Sequence, residues 1–323
     1  MSIVCTGSIA YDYLMTFPGY FKDHILPERL EKVSLSFLVD SMVRQRGGTA
    51  PNIAYTLALL GEKPLLVGTA GEDFDDYRMW LEEHGVDTRY VKIIPGKYTA
   101  SFFANTDLSN AQIASFYTGA MAHAKELSMY DLQQERPEIV TISPNDPEAM
   151  AKYVEECKAL HIPYLYDPSQ QIVRVDPEEL RRGVQGAQSL FVNGYELELF
   201  EKRTGLTLKQ ILEQVQFLVV TLGEDGAMIY VGDQEYRIPV VKPYRIVEPT
   251  GVGDAFRGGF LRGFRLGLDW QTCGQMGALA ATYCLEQSGP QNHCYTPAEF
   301  VARYRENFDD QGALDVLLQV SRQ

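Results

Sequence analysis

Thr250-Gly251-Val252-Gly253-Asp254-Ala255-Phe256 sets a glycine turn and a carboxylate at the start of a helix expected over Asp254–Leu266. Glycine lacks a Cβ, so the N–H groups of Gly251, Val252 and Gly253 can crowd around an anion, and the positive end of a helix favours negative charge there. Asp254 cannot partner that anion, because two negative charges repel. It reads instead as a base that takes a proton from a nucleophile attacking the held group. An anion cradle beside a base is the equipment of phosphoryl transfer. A plainer reading makes Asp254 a helix cap and the glycines a turn. Against it stand Gly258, Gly259 and Gly263, each costing a helix about 1 kcal/mol, which is tolerated where another backbone or a ligand must come close.

Other polar groups follow expected strand ends. Asp12, in Gly7-Ser8-Ile9-Ala10-Tyr11-Asp12, can accept hydrogen bonds from substrate hydroxyls, or simply shape a turn. Gly47-Gly48-Thr49-Ala50-Pro51-Asn52 pairs two glycines, which let backbone lie against a flat ring, with an amide that offers both donor and acceptor to a diol. Asn193 and Glu196 bracket the start of a helix and could organise a hydrated Mg²⁺, which needs few protein ligands; an Asn cap with a favourably placed Glu explains them too. Thr221-Leu222-Gly223-Glu224-Asp225-Gly226 offers a hydroxyl and two glycines (Gly223, Gly226) to a nucleotide, or forms a plain β-turn.

These segments resemble, in order and over nearly the full length, the signatures of the ribokinase (PfkB) family of small-molecule kinases. The resemblance implies that Asp254 is the catalytic base, that the turn at 251–253 is the anion hole, and that Asp12, Gly47, Gly48 and Asn52 grip the substrate. It further implies that Asn193 and Glu196 position magnesium and phosphate, and that Thr221, Gly223 and Gly226 line an ATP site. Glu248 departs from the pattern: many relatives carry Asp there beside a monovalent-cation site, so potassium activation is left open. The chain contains no G-x-x-x-x-G-K-[ST] run and no G-x-G-x-x-G after a strand, which argues against a P-loop kinase and a dehydrogenase.

Something must position these groups. Apolar, β-branched runs at Ser2–Thr6, Pro64–Gly68, Glu138–Ile142, Tyr164–Asp167, Ser189–Asn193 and Phe217–Thr221 alternate with amphipathic segments at Asn52–Leu60, Phe74–His84, Pro147–Leu160, Pro177–Gly183, Tyr195–Thr204 and Thr272–Gln287. That alternation predicts an α/β fold, a mostly parallel sheet with helices on both faces, and ligands beyond the strands' carboxyl ends. Two excursions, about 11–44 and 90–118, break the rhythm and read as one small β-rich lid. The second holds β pieces at Val91–Ile94, Tyr98–Ala104 and Ala111–Tyr117. The family resemblance implies the same: a three-layer ribokinase-like sandwich over 1–323 with the lid inserted.

Bulk properties narrow the partners. With 323 residues and a formal charge of −14, the chain lacks the basic footprint of a nucleic-acid groove. Its five cysteines are scattered and its histidines show no ligand spacing, which fits a reduced, cytoplasmic protein without a histidine-bound metal. No apolar run reaches membrane-spanning length, and no basic segment followed by an apolar core opens the chain, so neither a span nor a signal peptide is expected.

The acceptor is less legible. Phe102, Phe103, Phe116 and Tyr117 put aromatics on the lid, where a purine could stack or where they could merely form lid core. Asp107-Leu108-Ser109-Asn110-Ala111-Gln112, leading into Phe116-Tyr117-Thr118-Gly119-Ala120, is similar to the adenosine and nucleoside kinase branch, which adds Phe102 and Gln112 as substrate contacts. The expectation is ATP- and Mg²⁺-dependent phosphorylation of a nucleoside 5′-hydroxyl, adenosine first. A sugar kinase of the same family and a non-catalytic nucleoside sensor remain the alternatives. Exposed lid edges would suit a homodimer.

Overall fold

The computed structural model describes residues 2–25 and 34–320; the part of the expected lid region at 26–33 lies outside the described residues. The strands are β1 (Ser2–Thr6), β2 (Ala10–Thr16), β3 (Ser41–Gly47), β4 (Leu65–Ala70), β5 (Asp87–Ile93), β6 (Ala100–Thr106) and β7 (Gln112–Tyr117). They continue with β8 (Pro137–Ile142), β9 (Tyr164–Tyr166), β10 (Ser189–Asn193), β11 (Phe217–Thr221), β12 (Ala227–Val231) and β13 (Gln234–Ile238). The helices are α1 (Thr49–Leu59), α2 (Asp75–Glu83), α3 (Pro147–Ala159), α4 (Pro177–Val184) and α5 (Gly194–Thr204). After them come α6 (Leu208–Leu212), α7 (Val252–Arg265), α8 (Trp270–Leu285), α9 (Pro297–Asn307) and α10 (Asp315–Val320).

Nine strands form one sheet in the order β13-β12-β11-β10-β9-β8-β1-β4-β5. All neighbours run parallel except β12, which is antiparallel to both β11 and β13. Strand residues are apolar on both faces because both faces are covered. On β11, Phe217 and Val219 join the core against α7 and α8, whereas Leu218 and Val220 face the layer of α3, α4 and α5. The period-two split recurs on β10 with Phe191 against Leu190 and Val192. The expected three layers are therefore present. Among the described residues no helix is long and apolar enough to cross a membrane.

A second sheet, ordered β3-β2-β6-β7, forms the lid. Here the structure shifts the expected boundaries. Val91–Ile93, read as a lid piece, belongs to β5 at the edge of the central sheet, paired in parallel with β4. Its Val91 is buried in the main core, which a lid strand could not supply. The chain leaves β1 through Gly7-Ser8-Ile9 and enters β2 directly, so Asp12 stands on the lid while the adjoining strand stays in the main sheet.

The glycines of α7 have the packing role expected of them. A Cβ on Gly258 would lie 2.6 Å from Thr56 of α1, and one on Gly259 would lie 2.6 Å from the Met276 carbonyl of α8. Removing those side chains lets α1, α7 and α8 approach closely. That approach fixes where the start of α7 meets the sheet.

Candidate active site

Helix α7 starts without a side-chain cap. Most neighbouring helices are capped, by Asp146 on α3, Asp176 on α4, Asn193 on α5, Asp269 on α8 and Thr296 on α9. Gly251 instead turns the chain at φ 79°, where a Cβ would strike Pro290 at 2.3 Å, so this turn is restricted to glycine. First-turn N–H groups of a helix have no intrahelical acceptor. Val252 gives its N–H to the Pro249 carbonyl at 3.3 Å and does not line the cavity below, contrary to its expected place in the cradle. Among the described residues the N–H groups of Gly251, Gly253 and Asp254 have no hydrogen-bond acceptor.

Those donors face a cavity of about 170 Å³ into which Asp254, Arg257, Asn193, Glu196 and Thr221 also project. Three sequence-predicted segments thus meet at the carboxyl ends of β10 and β11, as an open parallel sheet requires. A larger cleft of about 370 Å³ lies at the opposite strand ends, lined by Cys157, His161 and Gln188, and holds none of the predicted residues.

Asp254 Oδ2 accepts a hydrogen bond from Asn52 Nδ2 at 2.9 Å. Burial pushes the Asp254 carboxyl above the usual range, while Arg257 and the Asn52 donor pull it back. Arg257, one turn along α7, donates from Nη2 to Asp167 Oδ1 at 2.6 Å; Asp167 is fully buried just past β9. Burial raises the Asp167 carboxyl too, against the opposing pull of Arg257. Ser169 completes that wall by donating to Glu196 Oε1 at 2.9 Å.

Asn193 and Glu196 form a reciprocal capping box: Glu196 N–H donates to Asn193 Oδ1 and Asn193 N–H donates to Glu196 Oε2, both at 2.8 Å. Both Glu196 oxygens and the Asn193 oxygen therefore already hold donors. The set fits an ion kept in its water shell, as Mg²⁺ prefers, better than one ligated directly. No cluster of three or more metal-binding side chains occurs among the described residues.

On the lid, Asp12 pairs in register with Gln45 of β3 and Phe102 of β6, and Phe102 with Phe116 of β7. Directly opposed residues share a face, so this row presents an amide, a carboxylate and two rings together. Burial first, then repulsion from Glu248 and Asp254, push Asp12 up to about 6. Both glycines of the expected ring platform also answer a steric need: a Cβ on Gly47 would lie 2.6 Å from Asp12 Oδ2, and one on Gly48 2.4 Å from the Ser8 carbonyl. They make room for the β1–β2 passage and its carboxylate.

Other expected contacts lie elsewhere. Gln112 shares the lid face but sits four residues from Phe116, about 13 Å along the strand, and donates to Thr106 Oγ1 at 3.1 Å. Gly226, with φ 90°, is demanded by the Ile238 carbonyl, which a Cβ would meet at 2.0 Å; neither it nor Gly223 lines the cavity, though Thr221 does. Glu248 Oε2 accepts from Gly289 N–H at 2.9 Å, Ser288 Oγ at 3.1 Å and Gln45 Nε2 at 3.4 Å, tying β3 to the loop after α8. Sequence reasoning missed Asp167, Ser169, Gln45 and Gln291. Asp167 did carry a signal, a carboxylate directly after an apolar strand; Gln291 carried none.

A lidded, doubly covered parallel sheet with an uncapped helix start, a carboxylate and an arginine at its strand ends defines a kinase that transfers phosphoryl to an alcohol. The chain belongs to the pfkB family of carbohydrate kinases, whose profile matches residues 2–298, and its fold is the ribokinase fold. Burkholderia thailandensis nucleoside kinase, solved in complex with inosine, superimposes with a TM-score of 0.82 at 38% identity, over 95% of this chain and 98% of that one. The same enzyme has been solved in complex with ADP-inosine, with a TM-score of 0.80. Methanocaldococcus jannaschii nucleoside kinase is 29% identical over 307 residues, 94% of this chain and 97% of its own length. Its crystal structure superimposes with a TM-score of 0.86.

Proposed function

We propose that this kinase transfers the γ-phosphoryl group of ATP to the 5′-hydroxyl of a purine nucleoside, adenosine among its acceptors. The observation that carries the reading is the nearness of two carboxylates from different rows. Asp254 stands with Arg257 and the open N–H groups of α7, and Asp12, close enough for Asp254 to repel its charge, heads the lid row of Phe102 and Phe116. The likeness to a nucleoside kinase solved with inosine supports a purine nucleoside over a bare sugar.

In this reading Asp12 accepts hydrogen bonds from ribose hydroxyls. Asn52, whose oxygen and one amide hydrogen are already engaged, gives its remaining hydrogen to the ribose. Phe102 and Phe116 stack on the base. Asp254 takes the 5′-hydroxyl proton as the O5′–Pγ bond forms and the bond from Pγ to the leaving ADP oxygen breaks. The N–H groups of Gly253 and Asp254, with Arg257, stabilise charge on the transferring group. Asn193 and Glu196 would hold hydrated Mg²⁺, which supplies neutralising charge on the phosphates. Thr221 lines the ATP side. Closure of the lid excludes water.

The test is a panel of nucleosides and sugars with ATP and Mg²⁺, followed by ADP release and product identification. Formation of nucleoside 5′-monophosphates with little turnover of ribose or fructose supports the reading. Preference for a bare sugar assigns the chain to the sugar kinases, and ligand binding without ADP from any acceptor makes it a sensor.

A further inference from the structure

Asn52 meets Asp254 with its amide nitrogen, not its oxygen, and the reason lies outside the residues that face substrate. A chain of hydrogen bonds leads back from the base to the end of lid strand β3. Tyr77, fully buried on α2, donates its hydroxyl to the Gly47 carbonyl at 2.8 Å. Gln291, buried in the loop after α8, donates from Nε2 to that same hydroxyl oxygen and to Asn52 Oδ1, the latter at 2.8 Å. Asn52 Nδ2 then donates to Asp254 Oδ2 at 2.9 Å.

The direction of every bond is dictated from one end. A backbone carbonyl can only accept, so Tyr77 must spend its proton on Gly47. Its oxygen can then only accept, which turns the NH₂ of Gln291 toward it. The second hydrogen of that NH₂ meets Asn52, which must present its carbonyl and so aims its own NH₂ at the base. Reversing Asn52 would set a carbonyl oxygen against the Asp254 carboxylate and two NH₂ groups against each other. Gln291 Oε1, by contrast, has no hydrogen-bond partner among the described residues, so nothing on the oxygen side holds this amide. Its two donated bonds orient it.

We infer that Gln291 is a positioning residue for phosphoryl transfer, fixing the Asn52 amide so that a donor faces Asp254, with Tyr77 and the Gly47 carbonyl setting the polarity. This rests on Asp254 acting as the base. The Asn52 donor favours the ionised carboxylate, so losing its orientation makes the base hold its proton to higher pH. Other charged or titratable groups bear on Asp254: Arg257 on α7, Glu196 on α5, Asp167 after β9, Asp12 on the lid and Cys284 on α8. None of them is altered by substitutions at Gln291 or Tyr77.

The experiment compares wild type, Gln291→Leu and Tyr77→Phe by two readouts. One is the acid limb of kcat against pH with ATP and a purine nucleoside. The other is the ¹³C titration of the Asp254 carboxyl, assigned by its loss in Asp254→Asn, which needs no turnover. Gln291→Leu should raise the Asp254 midpoint by about one pH unit, with kcat about tenfold down below the limb and converging on wild type at high pH. Tyr77→Phe should move both in the same direction by less. A kcat loss equal at every pH, or an unmoved Asp254 midpoint in both variants, overturns the inference. Absence of wild-type turnover with every acceptor contradicts the proposed function instead, and the carboxyl titration still decides the positioning role.

Discussion

Arg257 of α7 and Asp167 at the end of β9 are joined at 2.6 Å, with the carboxylate fully buried and the guanidinium nearly so. This pair ties the helix that carries the base to the middle of the central sheet. Asp167 Oδ2 and Arg257 Nε have no hydrogen-bond partner among the described residues, and the buried Asp167 carboxylate relies on this one arginine. Arg257→Met should therefore cost about 3–5 kcal/mol, because it strands a buried carboxylate, while Arg257→Met combined with Asp167→Leu should cost less than the single change. Urea unfolding of the three proteins measures the difference. A double variant less stable than the single one would show that the pair is held by more than mutual compensation.

Asp12 predicts a pH dependence of acceptor binding. Its folded value of about 6 lies above the ordinary 3.8, so the native state keeps this proton longer than the unfolded chain. Asp12 accordingly subtracts stability as pH rises from about 4 to about 6, and the full penalty is present above that window. Substrate hydroxyls donate more strongly to the ionised form, which accepts on both oxygens. KM for the nucleoside should fall as pH rises through about 6 and level off by about 7.5. In Asp12→Asn the KM should be higher and nearly flat with pH. A wild-type KM constant between pH 5 and 8 would remove this carboxylate from acceptor binding.

The lid row makes a separate prediction about the base. Phe102→Ala removes one ring of the Phe102–Phe116 pair and should raise KM for purine nucleosides by roughly five- to tenfold, the scale of one aromatic contact. Any residual turnover of ribose should be unchanged. Equal losses for both acceptors would make Phe102 lid core.

Close packing of α7 can be tested without substrate. Gly259→Ala would put a Cβ 2.6 Å from the Met276 carbonyl, where the neighbour is backbone and cannot swing away. The expected loss is about 1–3 kcal/mol in urea unfolding, despite the better helix propensity of alanine. At the solvent-facing Gly267, which meets nothing within 4 Å but has φ 71°, alanine should be unfavourable through backbone strain instead.

Much of this architecture was legible because its signals are local. β1, β10 and β11 are short apolar runs bounded by polar groups, and their ends fall where the pattern places them. The start of α7 was legible as well, since a glycine turn followed by a carboxylate has few uses. The misplaced features depend on what lies across space. Val91 looks like lid sequence, yet it completes the central sheet beside β4. Gly48 and Gly226 read as ligand contacts, and nothing in their local sequence signals that the backbones of Ser8 and Ile238 also exclude a side chain there. Gln112 shares the lid face of Phe116 but stands about 13 Å along the strand from it, a separation set by strand register. The Tyr77–Gln291–Asn52 chain joins residues more than 200 positions apart, and no spacing rule reaches that far.

The most direct test of the account is single-turnover transfer from γ-labelled ATP to a purine nucleoside by wild type and Asp254→Asn, with ATP affinity measured in parallel. Wild type should yield labelled nucleoside 5′-monophosphate. The variant should bind ATP within a few-fold of wild type and transfer phosphoryl at least about a thousandfold more slowly. Transfer by Asp254→Asn within tenfold of wild type would contradict the assignment of Asp254 as the base.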